Sequence, residues 1–157
     1  MKFFKVKVEY RKMAPKIKIL KLDASKADYS AAVARLYKFE NWLAEGDDIS
    51  KINLALSRSF CAFGAFDESG KMVGFFRALS DGVSDAYLLD LIVDPGYRGM
   101  GVARALASAV LEDLKKCSLS WITCISAPEA VKVYAPLGEK MEGFVPFRLG
   151  AGRGAEK

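Results

Sequence analysis

The sequence predicts one α+β domain, a sandwich of helices on a mixed sheet. Three observations predict it. Segments of period-two alternation and segments of helical period take turns along the chain. A hairpin signal lies near the middle, and a strand–helix–strand unit over Leu88–Ile125 supplies one parallel crossover. The expected order is β-α-α-β-β-β-α-β-α-β. With 157 residues, 52% apolar and 27% charged, the composition is that of one globular domain with a proper core. Residues 1–150 are expected to form that domain, and residues 151–157 a flexible tail.

Each element has its own warrant. "FFKVKVEY" alternates with period two and reads as a strand, and "KIKILKL" after Pro15 reads as the first core strand. Residues 28–43 place Tyr29, Ala32, Val33, Leu36 and Leu43 at helical spacing, with Phe39 close by and Ser25 or Asp28 as caps. Asp47 or Asp48 caps a second short helix with Ile49, Ile52, Ala55 and Leu56 on one face. "SFCAFGAFD" and "MVGFFRALS" flank the turn "ESGK", a hairpin. Residues 86–93 are apolar on both parities, as a central strand covered on both faces requires. Residues 102–116 carry Val102, Leu106, Val110 and Leu114 on one stripe. "SWITCI" is a short strand. "SAPE" opens a helix with Ser126 as cap, Pro128 in the first turn and Glu129 closing a capping box. "FVPFRL" is a final strand, irregular or at an edge because of Pro146.

The composition excludes several function classes. The longest apolar runs fall short of the ~18 residues of a membrane span, and the charged N-terminus lacks the apolar region of a signal peptide. Three cysteines, Cys61, Cys117 and Cys124, have no metal-like spacing and suit a reducing, cytoplasmic setting. There is no histidine, which removes histidine triads, zinc sites of the HExxH type and the commonest general base. Acid–base chemistry then falls to Asp, Glu, Tyr, Lys, Cys or water, and no metal is expected. The net charge of +5 is concentrated: residues 1–21 hold eight Lys/Arg against Glu9 alone, a net of +7 that leaves −2 elsewhere. A nucleic-acid-coating surface is therefore not indicated. The N-terminal excess reads as the solvent face of an edge strand, with a docking patch as the alternative.

The most informative stretch is "LLDLIVDPGYRGMGVARALASAVL", Leu88–Leu111. A strand ending in a glycine-rich bend that feeds a helix aims backbone N–H groups at one point, where the helix dipole adds positive potential. Such a point binds phosphates. Gly96 to Gly101 has P-loop glycine spacing, but Val102-Ala103 stands where Lys-Ser/Thr is needed. Gly99 and Gly101 begin a dinucleotide fingerprint, but Arg104 occupies its third small position, and a hairpin precedes the motif. Arg98-Gly99-Met100-Gly101-Val102-Ala103 does match the R/Q-x-x-G-x-G/A signature. It follows a strand ending L-x-V-x-P at Leu91, Val93 and Pro95, and "SAPEAVKVYAPLG" places Tyr134 in a helix of the A-x(n)-Y-x-x-L-G type. On these residues the chain resembles the GNAT acetyltransferase superfamily over nearly its whole length.

The resemblance implies a three-layer GNAT fold and an enzyme that moves the acetyl group of acetyl-CoA directly to a primary amine. It implies that the backbone of Leu91, Ile92 and Val93 holds the pantetheine arm at a bulge. It also implies that the N–H groups of residues 98–103 (Arg98, Gly99, Met100, Gly101, Val102, Ala103) cradle the pyrophosphate, and that Tyr134 is the general acid. Asp90 is a lone acid in an apolar strand. Burial of a carboxylate is costly unless it is used or satisfied, and desolvation would make it a better base. It is the candidate general base. Asp85, water, or a structural role in which Asp90 bonds a cationic partner are the alternatives. The acceptor is expected beside Tyr37, Phe39 and Trp42, with acids from Glu40, Glu45, Asp47 and Asp48 making a mouth for a cationic amine. Two departures stand out: Ala127 replaces a cofactor-bonding asparagine, and Glu139 replaces the usual phenylalanine after Leu137-Gly138. A small-molecule amine is the expected acceptor, and a homodimer is among the assemblies allowed. A non-catalytic acyl-CoA-binding module is the reading of another class. Acetylation of a protein or an aminoacyl-tRNA amine is a further alternative.

Overall fold

The computed structural model describes residues 16–147, 149 and 150. Five strands, β1 (Lys18–Lys21), β2 (Cys61–Phe66), β3 (Met72–Ser80), β4 (Asp85–Val93) and β5 (Trp121–Cys124), form one sheet in the order β1-β2-β3-β4-β5. Neighbours are antiparallel except β4 and β5, which run parallel because α3 (Val102–Leu114) crosses between them. Helices α1 (Ser30–Tyr37) and α2 (Ser50–Ser57) precede the hairpin, and α4 (Val131–Tyr134) is a single turn after β5.

The sheet is packed on both faces, giving three layers. One face carries Phe63, Val73, Phe76, Ala86, Leu88 and Val93 against the predicted α3 stripe of Val102, Leu106, Val110 and Leu114. The other carries Ala62, Phe75 and Ile92 against Val33 and Leu36 of α1 and Ile52 and Leu56 of α2. Side chains alternate across a strand, so each strand serves both layers. In the β2–β3 turn, Asp67 Oδ1 accepts from the amides of Ser69 and Lys71, both at 3.0 Å, the turn chemistry that "DESGK" encodes.

The N-caps of α1 and α2 are Tyr29 and Ile49. The predicted caps Asp28 and Asp48, one residue earlier, hold first-turn amides, whereas the cap predicted for the last helix is not formed. Asp28 Oδ1 accepts from the Ser30 amide at 2.8 Å, and Asp48 Oδ1 from the Ser50 amide at 3.0 Å. Ser126 does not cap: its hydroxyl donates to the Ala127 carbonyl at 2.9 Å, and the segment begins as a tight 3-10 turn at Pro128–Ala130 before the single turn of α4. The expected closing strand "FVPFRL" is not formed over residues 144–147, where Phe144 and Phe147 are 63% and 77% exposed. Pro146 removes a ladder donor from the middle of that short run. Among the described residues the order is therefore β-α-α-β-β-β-α-β-α.

β1 is an edge strand among the described residues, with Lys18 and Lys21 exposed as the edge reading expects. Lys21 also reaches across to Asp113 of α3 at 2.5 Å. The "FFKVKVEY" strand and the tail at 151–157 lie outside the described residues. No helix of the described residues is long and apolar enough to cross a membrane.

Candidate functional site

β4 contains a break in its own pattern. Phe75 pairs with Ile92 and Arg77 with Leu89, so Phe76 alone faces both Asp90 and Leu91. This is a β-bulge, and Asp90 carries it in the left-handed region with φ 63. The parity of the strand switches there. Ala86 and Leu88 face α3 before the bulge, and Leu91 and Val93 face it afterwards. The apolar run on both parities thus has two causes: both faces are covered, and one residue is inserted. A left-handed non-glycine residue costs ~1–3 kcal/mol and persists only where its surroundings hold it.

The bulge opens the sheet. β4 and β5 pair from Asp85↔Trp121 to Leu88↔Cys124 and then part. The edge of residues 89–93 that would continue the ladder has no strand partner among the described residues. The split reproduces the expected bulge around Leu91, Ile92 and Val93. Tyr134 stands near its start. It is half-buried, its ring packs 6.4 Å from that of Phe76, and it joins Cys124 in the packing against the α3 layer. Burial pushes its phenol pKa well up, and the nearby Cys124 and Tyr87 push the same way. The hydroxyl therefore keeps its proton throughout the neutral range.

The turn from β4 to α3 is rigidly mounted. Asp94 Oδ1 accepts from the Gly96 amide at 3.1 Å, while Oδ2 takes Arg35 of α1 and Lys71 of the hairpin, each at 3.1 Å. Burial of Asp94 opposes its ionisation, but these bonds outweigh burial and hold its pKa below the usual carboxylate value. Tyr97 adds a bond to Asp67 at 2.7 Å. Beyond this clamp, Gly99 and Gly101 have φ 75 and 81, which L side chains rarely adopt. A Cβ built at either would meet nothing within 4 Å. The glycines therefore serve conformation, and the space before them is open. The first-turn amides of the 13-residue α3, from Val102 and Ala103 onward, face outward from this turn with the positive end of the helix dipole. Open backbone, free donors and positive potential together fit an anionic pyrophosphate. Met100 is exposed beside them. The Arg98 side chain braces the turn: its Nε donates to the Val93 carbonyl at 3.0 Å and its other end pairs with Glu40 at 2.6 Å.

On the opposite face, Tyr37 donates to Asp90 Oδ2 at 2.8 Å, and its ring meets that of Trp42 edge-on at 5.4 Å. Tyr37 and Trp42 are thus brought to the bulge together. Phe39 lies on a 3-10 turn at Lys38–Glu40 and is 43% exposed. Three of the four acids expected around them have local duties. Glu40 holds Arg98, Asp48 accepts from the first-turn Ser50 amide of α2, and Asp47 accepts from the Ala44 amide at 2.9 Å. Glu45 and Asp47 line a cavity of about 390 Å³ with Lys38, Leu43 and Ile49.

Two residues that composition and spacing did not single out complete the site. Arg77 of β3 donates to Asp90 Oδ2 at 2.5 Å and to Ser59 Oγ at 3.2 Å. Arg35 fixes Asp94. The signal for Arg77 was present: it is a lone cation in "MVGFFRALS", as Asp90 is a lone anion in the next strand. One oxygen of the candidate base thus carries a cationic partner, as the structural alternative for Asp90 expects. Asp85 lies five residues away, ~17 Å along the strand at 3.4 Å per residue, in a separate depression of about 510 Å³ with Tyr87 and Trp121.

Comparison with known proteins bears on this arrangement. Residues 24–138 match the sequence profile of the Acetyltransferase (GNAT) family. The chain is 32% identical over 92 residues to GCN5-related N-acetyltransferase 1, chloroplastic, of Arabidopsis thaliana, covering 58% of this chain and 47% of that one. It spans about half the length of the curated relatives it matches. A GNAT-family protein from Xanthomonas campestris has a similar structure, with TM-score 0.65 and 29% identity over 85% of this chain and 96% of that one. The aminoglycoside N-acetyltransferase AAC(6')-Iy, solved in complex with CoA, shares the fold at TM-score 0.66 and 21% identity, over 87% of this chain and 97% of that one.

Proposed function

As the chain belongs to the acetyltransferase (GNAT) family, we propose that it transfers an acetyl group from acetyl-CoA directly to a primary amine, in our reading a small molecule. The observation that carries the proposal is the split of β4 from β5 past Leu88, which leaves a strand edge unpaired next to an open glycine turn. In this reading the acyl-CoA thioester supplies the activated acetyl group, and the chain supplies position and protons. Backbone groups of Leu91, Ile92 and Val93 hold the acyl arm and steady the carbonyl oxygen as charge develops. Amides of residues 98–103 take the pyrophosphate, with Arg98 bracing the turn through Val93 and Glu40.

Tyr134 hands a proton to the departing thiolate. Its half-buried phenol remains protonated at neutral pH and has no protein hydrogen-bond partner among the described residues, so its proton is available. In this reading the amine loses its own proton to water at the split, which the engagement of Asp90 Oδ2 by Arg77 and Tyr37 supports. Free amine is scarce under these conditions: with a pKa of ~10.4, about one molecule in a few thousand is unprotonated at pH 7. The aromatic pair Tyr37 and Trp42 flanks the acceptor approach, with Phe39 at its rim. A reducing compartment, the cytoplasm in our reading, suits the three free cysteines. The test is thiol release from acetyl-CoA across a panel of primary amines. CoA release in step with acetylated amine is the expected result. Saturable acetyl-CoA binding without CoA release for any amine would replace this proposal with the acyl-CoA-binding module.

A further inference from the structure

Asp90 adopts a left-handed backbone in the middle of a strand, and two side chains from different elements converge on one of its oxygens. Arg77 Nε reaches Oδ2 from β3 at 2.5 Å, and Tyr37 OH reaches the same oxygen from α1 at 2.8 Å. The guanidinium is itself fixed, since its far nitrogen donates to Ser59 Oγ at 3.2 Å. Both charged side chains are largely shielded, 15% exposed for Arg77 and 22% for Asp90. Their pairing is thus less screened than a surface ion pair. Asp is among the few residues that tolerate the left-handed region, because its side chain is short and polar.

We propose that Arg77 and Tyr37 clasp Asp90 to lock the β4 bulge, and that all three are positioning residues for the strand edge that receives the acyl donor. What the edge receives rests on the function proposed above; the clasp itself does not. The bulge sets which side chains face α3. Were it flattened, Leu91 and Val93 would exchange faces with Asp90 and Ile92, and a carboxylate would enter the apolar α3 layer. The clasp opposes this by drawing the carboxylate to the opposite face. It also ties the donor strand to the aromatic side of the site, since the Tyr37 ring packs on Trp42. In this role Asp90 acts through backbone geometry and takes no proton from the amine.

The test is a series at one position read in two ways. Glycine adopts φ 63 freely, whereas alanine pays the left-handed penalty, so Asp90→Gly and Asp90→Ala differ in conformational cost while both remove the carboxylate. Amide hydrogen exchange over residues 89–93, measured without ligand, should be about 5- to 30-fold faster in Asp90→Ala than in Asp90→Gly, the left-handed penalty converted to a ratio. Turnover with acetyl-CoA should follow the same order, with Asp90→Asn at least equal to glycine because Asn also accepts the left-handed region. The acidic limb of the pH–rate profile should survive in Asp90→Asn and Asp90→Gly. Arg77→Gln should speed the same exchange and raise the KM for acetyl-CoA, leaving the amine KM unchanged. Equal exchange in the glycine and alanine variants would show that the left-handed bulge is not what holds this edge, and wild-type exchange over residues 89–93 in both Arg77→Gln and Tyr37→Phe overturns the clasp. So does loss of the acidic limb in Asp90→Asn with rescue at high pH, which would return Asp90 to the role of base. A wild type that binds no acetyl-CoA would refute the function above, and ligand-free exchange in Arg77→Gln and Tyr37→Phe would still decide the clasp.

Discussion

Gly101→Ala isolates what the glycine turn contributes. Gly101 has φ 81, and a Cβ there meets no atom within 4 Å. Steric repulsion therefore contributes nothing, and the whole effect on folding is the cost of a left-handed alanine, ~1–2 kcal/mol. For a chain of this size ~1 kcal/mol moves Tm by about 2–4 °C, so a fall of about 2–8 °C is expected in a thermal melt. The added methyl also projects into the open space before the α3 amides, so acetyl-CoA affinity should fall further than the strain alone explains. Gly96→Ala is the matched control. Gly96 needs no left-handed φ, and its Cβ would sit 3.5 Å from Asp94 Oδ1, an ordinary contact. Thermal melting and isothermal titration on both variants separate the two effects. A Gly101→Ala protein that melts and binds acetyl-CoA like wild type would refute both the strain and the cradle.

Other expectations follow from neighbouring residues. Tyr134→Phe keeps the ring that packs on Phe76 and removes only the hydroxyl. Cofactor affinity should hold while turnover drops roughly 10- to 1,000-fold, within the range of general acid assistance, and a fully active variant would remove Tyr134 from the acid role. The pKa of Asp94 is depressed in the fold, so its contribution to stability is present above the unfolded pKa of ~3.9 and is lost as pH falls through the folded value. Asp94→Asn should therefore lower Tm at neutral pH and bring it nearer to wild type in strong acid; a constant Tm difference across that range would contradict the linkage.

How much of this was legible in the sequence depends on the kind of signal. The α3 stripe and the hairpin were readable because period and turn chemistry are local properties. The glycine turn was readable because left-handed backbone selects glycine, and Gly99 and Gly101 have that φ. The same logic concealed Asp90, because an aspartate can take the left-handed region that normally advertises itself as glycine. Its isolation in an apolar strand suggested burial and a base; the partner that satisfies it, Arg77, lies 13 residues away across a hairpin. The strand not formed over residues 144–147 and the absent Ser126 cap both fall in segments that carry a proline, where composition alone suggested an element. The acids near Trp42 were legible as charge, but their local bonds, in the turns at Asp47 and Asp48 and in the Glu40–Arg98 pair, depend on backbone geometry that charge does not reveal.

The central claim is that an acyl-CoA lies along the unpaired edge of β4 and against the glycine turn. Titrating acetyl-CoA into isotopically labelled protein and following backbone amide signals by NMR tests it most directly. Saturable shifts concentrated in residues 89–93 and 98–103, with a Kd in the range of ~1 μM to 1 mM expected for a co-substrate, are the predicted result. Saturation with shifts confined to the Tyr87–Trp121 depression, or no shift at millimolar acetyl-CoA, would contradict it.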